Sequence, residues 1–513
     1  MSLSADSEIP NALNSAGGKK NSSANCFSSG VPQKHCRTAR LGAAHIALCF
    51  FTSFVCLHLP PAAAHSFAPR RGFPSAKHII IRNNLTGFPL RNKVFVLLIL
   101  DRIKVFIRKK FNIKKTVYSF FYSKYNILAN HKKGDILEIY LDNSATTRVS
   151  RAAADAAFSV MTENYGNPSA VHSSGVRAGA VLENSRRSVA SMLGAEPSEI
   201  YFSHSGTLAN NTAIFSAVNL RRKMGNRIVT TKTEHPSVAR CMDVLEEQGF
   251  QVIRLSPGKN GAFQTDELIN AVNKNTILVS AMLVNNETGS INPVELIERA
   301  VKRVSSPALI HVDAIQAFGK MPVRPSKMGV DLLTVSGHKV HAPKGVGALY
   351  VRKNLNIKPV IYGGGQENGL FSGTEPLPAI AGFGAAVNNL GDPRKNLEAM
   401  KQKKSYLLSL LRDEKRIVIN SPADGLPNII NMSVTGIPSQ VLINYLSERG
   451  IYISAGSACK RGHRSEVLTA LGLPANLIDS AVRVSMSGQT TDEELEIFAA
   501  AVKEAIKSIR TKL

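Results

Sequence analysis

From Leu137 onward the sequence predicts an α/β protein built on a largely parallel sheet. Three short β-branched runs carry that expectation: Arg227-Ile-Val-Thr230, Thr276-Ile-Leu-Val-Ser280 and Leu309-Ile-His-Val312. They alternate with stretches of helical periodicity such as residues 294–304. Strands separated by helices pair in parallel, because the helix returns the chain across the sheet. A fourth run, Val330-Asp-Leu-Leu-Thr-Val335, reads as a buried strand. No internal repeat or extended low-complexity tract stands out.

Candidate chemistry clusters at the ends of these runs. Asp313 closes the apolar run Leu309-Ile-His-Val-Asp313, and a charge buried there needs a partner. A pyridinium nitrogen is one such partner; an Asp that caps the next helix is the other reading. Lys339 follows a strand end in Ser336-Gly-His-Lys339. A lysine beside small polar donors suits a Schiff base with a phosphate nearby; a surface lysine after a turn is the plainer reading. Lys344, in the Gly-rich stretch Pro343-Lys-Gly-Val-Gly347, competes with it. Cys459 ends a small-residue run, Ser454-Ala-Gly-Ser-Ala-Cys459, and is followed by Lys460 and Arg461. Adjacent cations favour the nucleophilic thiolate, and Gly and Ser let a loop bend; a free cysteine is otherwise a small core residue. Cys241 lies on a segment of helical apolar spacing and reads as core. The two cysteines have no CxxC or Cys/His spacing, so no metal site is expected.

Taken together, these segments resemble a cysteine desulfurase (NifS/IscS-like), a PLP enzyme of the class V aminotransferase family with fold type I. Eleven segments between about residues 139 and 505 carry the resemblance, in the family's order: Tyr140-Leu-Asp-Asn-Ser-Ala-Thr-Thr147, Tyr165-Gly-Asn-Pro-Ser169, Ser205-Gly-Thr207, Thr233-Glu-His235, Val284-Asn-Asn-Glu287, His311-Val-Asp313 with Gln316, Ser336-Gly-His-Lys339, Gly363-Gly-Gly-Gln366, Ser372-Gly-Thr374, Gly456-Ser-Ala-Cys459 and Arg483. The resemblance implies that Lys339 forms the Schiff base with pyridoxal 5'-phosphate and Asp313 pairs with its pyridine nitrogen. Asn285 and Gln316 would bond the ring's phenolic oxygen, and Asn285 would also face the substrate. His235 would stack on the ring and move protons. Gly206, Thr207, Ser336 and His338 would cradle the phosphate. Thr374 resembles a residue that reaches the phosphate across a dimer interface. Arg483 would clamp the substrate carboxylate. Cys459 would take the sulfur of L-cysteine as a persulfide, releasing L-alanine, and its loop would carry that sulfur outward.

The resemblance further implies a large PLP-binding domain over residues 149–395. Residues 138–148 and 396–513 would form a smaller α/β domain that holds the Cys459 loop and Arg483. It also implies a cytoplasmic homodimer that delivers sulfur to an acceptor protein, either an iron–sulfur scaffold or a tRNA-thiolation enzyme; an iron–sulfur cluster would be held only transiently, if at all. Several positions depart from the family. Leu208 stands where relatives usually carry an acid, Asn368 and Phe371 stand where many carry arginines, and the run Val484 to Gln489 after Arg483 lacks a second arginine. The Cys459 loop resembles the long-loop group, slightly shortened. The chain ends 30 residues after Arg483, so the tail with which housekeeping relatives grip a scaffold is expected to be missing. Selenocysteine lyase or another class V reaction is the alternative, and a non-catalytic scaffold is the rival from a different class. Residues 143–147 read as a polar turn, and His172, His311, His341 and His463 as surface or loop histidines.

The net charge of +26 would point to nucleic acid or a membrane surface. Most of it lies in residues 1–136, with 21 Lys and Arg against 4 Asp and Glu. That segment holds four of the six cysteines at no useful spacing and does not read as a folded domain. Residues 41–59 resemble a signal peptide or a membrane span, and the shortage of acids resembles a transit peptide. A third reading is favoured: Lys132-Lys-Gly-Asp135 can be encoded by a ribosome-binding sequence, and Leu137 by a TTG start. Residues 1–136 would then be translated upstream DNA. Export conflicts with a working thiol, since oxidising compartments favour disulfides. Mass spectrometry of the native N-terminus decides this, and peptides from residues 1–136 would overturn it.

Overall fold

The computed structural model describes residues 138–455 and 464–509. The N-terminal extension, the Leu137 start and Cys459 with its neighbours lie outside the described residues. Seven strands form the main sheet in the order β2-β8-β7-β6-β5-β3-β4. They are β2 (Ile200–Ser203), β3 (Arg227–Thr231), β4 (Gln251–Leu255), β5 (Thr276–Met282), β6 (Leu309–Asp313), β7 (Leu332–Ser336) and β8 (Gly347–Val351). The four runs read from sequence are β3, β5, β6 and β7, each found within a few residues of its expected bounds. Only β8 runs against the rest, pairing antiparallel with both β2 and β7. The fold is the α/β architecture on a largely parallel sheet that the sequence predicts.

The sheet is apolar on both faces, as a parallel sheet covered by helices must be. Successive strand residues point to opposite faces. Ile228, Leu309, Leu332 and Leu349 join one core cluster; Val229, Ile310, Leu333 and Ala348 join the other. Helices α3 (Gly206–Arg221) and α4 (Pro236–Glu247) cover the first face through Ile214, Ala217, Val238 and Met242. Helix α1 (Arg151–Thr162), α2 (Ser173–Leu193), α5 (Thr265–Ala271), α6 (Glu295–Arg303) and α7 (Leu377–Asn389) cover the second. Cys241 sits in the α4 core, donating Sγ–H to the Ser237 carbonyl at 3.2 Å. Burial pushes its thiol up to about 11, so it is an inert small hydrophobe.

A further apolar cluster is built from the two ends of the described chain. Strand β1 (Ile139–Tyr140) pairs in parallel with β11 (Ile451–Tyr452). Beside them β9 (Ile417–Ile419), β10 (Ile429–Val434) and β12 (Ala481–Ser485) form an antiparallel sheet in the order β12-β10-β9. Helix α8 (Pro393–Leu411), α9 (Ser439–Ser447) and α12 (Asp492–Ser508) close over it, burying Leu407, Leu442, Phe498 and Val502 with Ile139 and Leu141. Short helices α10 (Glu466–Ala470) and α11 (Ala475–Asp479) precede β12. Among the described residues, no helix is long and apolar enough to cross a membrane.

His311 differs from its expected place at the surface. It is fully buried in β6, between the Ser280 hydroxyl at 2.8 Å and the Thr334 hydroxyl at 3.2 Å. Burial lowers it to about 3, so it is a neutral cross-strand link between β5 and β7.

Candidate active site

The parallel strands all point their carboxyl ends to one edge of the sheet, where ligands of open α/β sheets bind. Ser205, Gly206 and Thr207 follow β2; Thr233 to His235 follow β3; Asn285 follows β5. Asp313 ends β6, and Ser336 to Lys339 end and follow β7. Segments separated by over a hundred residues thus meet at this edge.

Asp313 is buried and held on both oxygens. The Ile315 N–H donates to Oδ1 at 3.0 Å and Asn210 Nδ2 donates to Oδ2 at 2.8 Å. Burial raises its pKa, against the pull of these donors, His235 and Lys339. Asn210 also donates to the Ser237 hydroxyl at 2.8 Å, which lies 2.8 Å from His235 Nδ1. His235 caps α4, its Nδ1 accepting the Ser237 N–H at 3.1 Å, with Pro236 at the first helical position. Burial and then the Lys339 charge lower the imidazole pKa, with Asp313 opposing, which favours the neutral ring.

The turn at residues 143–145 forms a wall of this site rather than a simple polar connection. Lys339 Nζ donates to the carbonyls of Ser144 at 2.5 Å and Ala145 at 2.8 Å. Gln316 Nε2 donates to the same Ser144 carbonyl at 3.0 Å, and its Oε1 accepts from Lys320 Nζ at 3.0 Å. Burial, with the charges of Lys339 and Arg483, brings the Lys320 amine down to about 7. Thr146 Oγ1 stands 3.2 Å from His338 Nδ1, and Thr147 donates its N–H and hydroxyl to the His338 carbonyl. Burial lowers His338 to about 4, helped by Lys339 and Lys344.

Asn285 is buried, and its amide locks two segments together. Its Nδ2 donates to the Thr233 carbonyl at 3.0 Å, while its Oδ1 accepts the N–H groups of Glu287 and Thr288, both at 2.9 Å. Gly206 opens α3 tight against the strand ends. A Cβ there would lie 2.5 Å from Ile315 Cδ1 and 3.2 Å from Ser336 Cβ. Ser205 caps the helix by accepting the Leu208 N–H at 3.1 Å, and Thr207 is exposed at the mouth.

Arg483, in β12, is buried and reaches toward the same region. Its Nη2 donates to Asp142 Oδ1 at 2.8 Å and its Nη1 to the Asn286 carbonyl at 2.9 Å. Its Nε is buried with no hydrogen-bond partner among the described residues. Ser454, which bridges to Arg483, donates its hydroxyl to the same Asp142 oxygen at 2.9 Å. Thr374 is exposed, on a loop apart from these contacts. Sequence reasoning singled out none of Asp142, Asn210, Ser237 or Lys320. Asn210 on the inner face of α3, in a position of core spacing, was the one available signal.

The geometry fits what comparison with known proteins finds. The family model for aminotransferase class-V matches residues 139–498. A cysteine desulfurase of Nostoc sp. is 38% identical over 72% of this chain and 94% of its own length. A cysteine desulfurase IscS of Methanosarcina thermophila is 37% identical over 72% of this chain and 93% of its own. Among solved structures, a NifS-like protein superposes with a TM-score of 0.69 at 36% identity, covering 73% of this chain and 100% of that one. SspA in complex with cysteine gives 0.62 at 33% identity, covering 69% and 99%. The chain belongs to the class V aminotransferase family of enzymes, and within it to the NifS/IscS-like cysteine desulfurases.

Proposed function

We propose that this enzyme converts L-cysteine to L-alanine with PLP at the sheet edge, and places the sulfur on Cys459 as a persulfide. The observation that carries the reading is the meeting of Lys339, Asp313 and His235 at the carboxyl ends of β7, β6 and β3. The residues fit the cofactor. The buried Asp313 carboxylate, held by the Ile315 N–H and the Asn210 amide, suits a pyridinium partner. The N-terminus of a 16-residue helix, opened by Gly206, suits a phosphate.

In this reading Lys339 would hold PLP covalently, Asp313 its ring nitrogen, and Gly206, Thr207, Ser336 and His338 its phosphate. Asn285 and Gln316 would face the ring's phenolic oxygen. PLP, when bound, supplies an electron sink for charge formed at the substrate Cα. Arg483, oriented by Asp142 and the Asn286 carbonyl, would bind the substrate carboxylate through its remaining guanidinium N–H groups. The Lys339 amine takes the Cα proton, and the neutral His235 moves a second proton. The Cys459 thiolate attacks the substrate sulfur; the S–S bond forms as the Cβ–S bond breaks. Protonation at carbon completes alanine, and the enzyme keeps Cys–S–SH. An acceptor protein, an iron–sulfur scaffold or a tRNA-thiolation enzyme, then takes the sulfur in the cytoplasm.

The same proposal divides the described chain into a large domain at 149–395 and a smaller one from 138–148 and 396 onward, supported by their separate apolar clusters. It also makes the enzyme a homodimer in which Thr374 serves the partner's phosphate, supported by the exposure of Thr374 and of Tyr362 at 78%.

The test supplies the full chain with L-cysteine and a reductant and measures alanine and sulfide. Equal amounts are expected, both reduced roughly 10³-fold by Cys459→Ser. Alanine formation that survives the substitution would indicate a lyase-type reaction and defeat the persulfide step. A second prediction concerns the cradle. Gly206→Ala is expected to weaken PLP retention about threefold, because the added methyl displaces the Ile315 side chain and presses on Ser336 Cβ at 3.2 Å. Cofactor release followed by absorbance checks it, and unchanged retention would place the phosphate elsewhere.

A further inference from the structure

Glu234 is a titratable group that the reaction above leaves unused, although it precedes His235. Its side chain is buried, with the residue 8% exposed. One oxygen, Oε1, accepts both the Thr231 hydroxyl at 2.6 Å and the Met282 N–H at 2.9 Å. Those donors close the carboxyl ends of β3 and β5, adjacent strands in the sheet. Thr231 Oγ1 in turn lies 3.2 Å from the Thr233 hydroxyl. From the other side, Asn285 Nδ2 donates to the Thr233 carbonyl at 3.0 Å and to Met282 Sδ at 3.4 Å. The segment that presents His235 and the segment that presents Asn285 are therefore stitched in both directions, once by Glu234 and once by Asn285.

The other oxygen, Oε2, is buried and has no hydrogen-bond partner among the described residues. An ionised carboxylate with a bare buried oxygen is costly, and a neutral acid far less so. The charges around it do not help. Asp313, at the end of β6, acts on Glu234 as a like charge. The cations nearby serve other groups: Lys339, after β7, acts on Asp313 and His235.

We propose that Glu234 is a positioning residue that works as a carboxylic acid: its shared Oε1 ties the ends of β3 and β5 and so sets His235 and Asn285 for the reaction. The inference rests on the roles proposed above for those two residues. Its electrostatics agree with the geometry. Burial first, then Asp313, pushes the carboxyl up from 4.5 to about 8, against the pull of the two hydrogen bonds. A folded-state value above the unfolded one means that folding favours the protonated form. The stabilisation is complete below the unfolded value of 4.5 and is lost as pH rises to about 8.

The experiment compares the full chain with Glu234→Gln and Glu234→Ala. Glutamine keeps the shared acceptor oxygen and stays neutral. At neutral pH it is expected to retain kcat within about threefold, while alanine lowers kcat about 10²-fold by loosening His235 and Asn285. Melting of wild type and Glu234→Gln is measured from about pH 5 to 9. The wild type is expected to lose several degrees relative to Glu234→Gln across that window, with the gap levelling off at its alkaline end. The alkaline limb of kcat should also move to higher pH in Glu234→Gln, a change that a merely structural role would not produce. Parallel melting curves, or wild-type kcat in Glu234→Ala, would overturn the proposal. Failure to make alanine from L-cysteine would defeat the proposed reaction instead, and the melting comparison would still decide whether Glu234 is held as an acid.

Discussion

Replacing Lys339 by alanine is expected to lower alanine formation from L-cysteine about 10³-fold or more and to remove the visible absorbance of lysine-bound PLP. Lys339 ends a single 3-10 turn, Gly337–Lys339, directly after β7. The turn is fixed on both sides: the Gly337 N–H donates to the Val346 carbonyl and the His338 carbonyl receives Thr147. The amine then has little freedom, and the Ser144 and Ala145 carbonyls hold it at 2.5 and 2.8 Å. Fixed placement of this kind is worth several kcal/mol of barrier. Lys339→Arg separates charge from chemistry. Arginine can meet the same carbonyls, but it stays protonated and cannot serve as nucleophile or base. It should therefore be as inactive as alanine. A variant of either kind that kept a tenth of the activity would move the reactive amine elsewhere, with Lys320 and Lys344 the next to test.

Arg186→Ala is expected to destabilise the protein by about 3–5 kcal/mol, the usual cost of stranding one member of a buried pair. Arg186, on α2, grips Glu367 with two parallel bonds, Nη1 to Oε2 at 2.7 Å and Nη2 to Oε1 at 2.8 Å. The Glu367 side chain is 2% exposed and also accepts the Phe202 N–H at 2.7 Å. The guanidinium donates further to the Ile200 carbonyl and lies 5.2 Å from the Phe202 ring centre. Removing it leaves a carboxylate with only one donor in an apolar setting. The effect should also reach the loop that carries Thr374. Glu367 has φ of 49° and Asn368 of 53°, in the left-handed region that costs side-chain-bearing residues energy. The Arg186 fork and the Phe202 N–H are what hold the chain there. Denaturant unfolding measures the loss. A change below about 1 kcal/mol would show that the pair merely offsets its own desolvation. Arg186→Lys should recover only part of the stability, because an ammonium cannot make the two parallel bonds.

The site was legible in sequence wherever chemistry and strand ends coincide. Asp313 and Lys339 stand at the ends of apolar runs, and a polar group there faces either solvent or a ligand. What the sequence did not expose was the group that each residue meets. The carbonyls of Ser144 and Ala145 are backbone atoms, and no residue type announces an acceptor 194 or 195 positions from its lysine. Asn210 looks like an ordinary residue of a helix until the fold sets it against Asp313. Asp142 is one residue of the Tyr140–Thr147 motif, yet it pairs with Arg483 from 341 residues away.

His311 marks the same boundary from the other side. Its neighbours in the chain, Ile310 and Val312, already declared a buried strand, but a buried imidazole needs hydrogen-bond partners for its ring nitrogens, here two hydroxyls. Those hydroxyls, Ser280 and Thr334, belong to the flanking strands. The sequence by itself determined the alternation of strands and helices, because side-chain periodicity and β-branching act over a few residues. It also determined the identity of the reactive groups, because those are properties of single side chains. Only the tertiary structure decided the partners, the neutral state of His311 and the shared oxygen of Glu234. These depend on burial and on distances between segments far apart in the chain, which arise only when the sheet assembles.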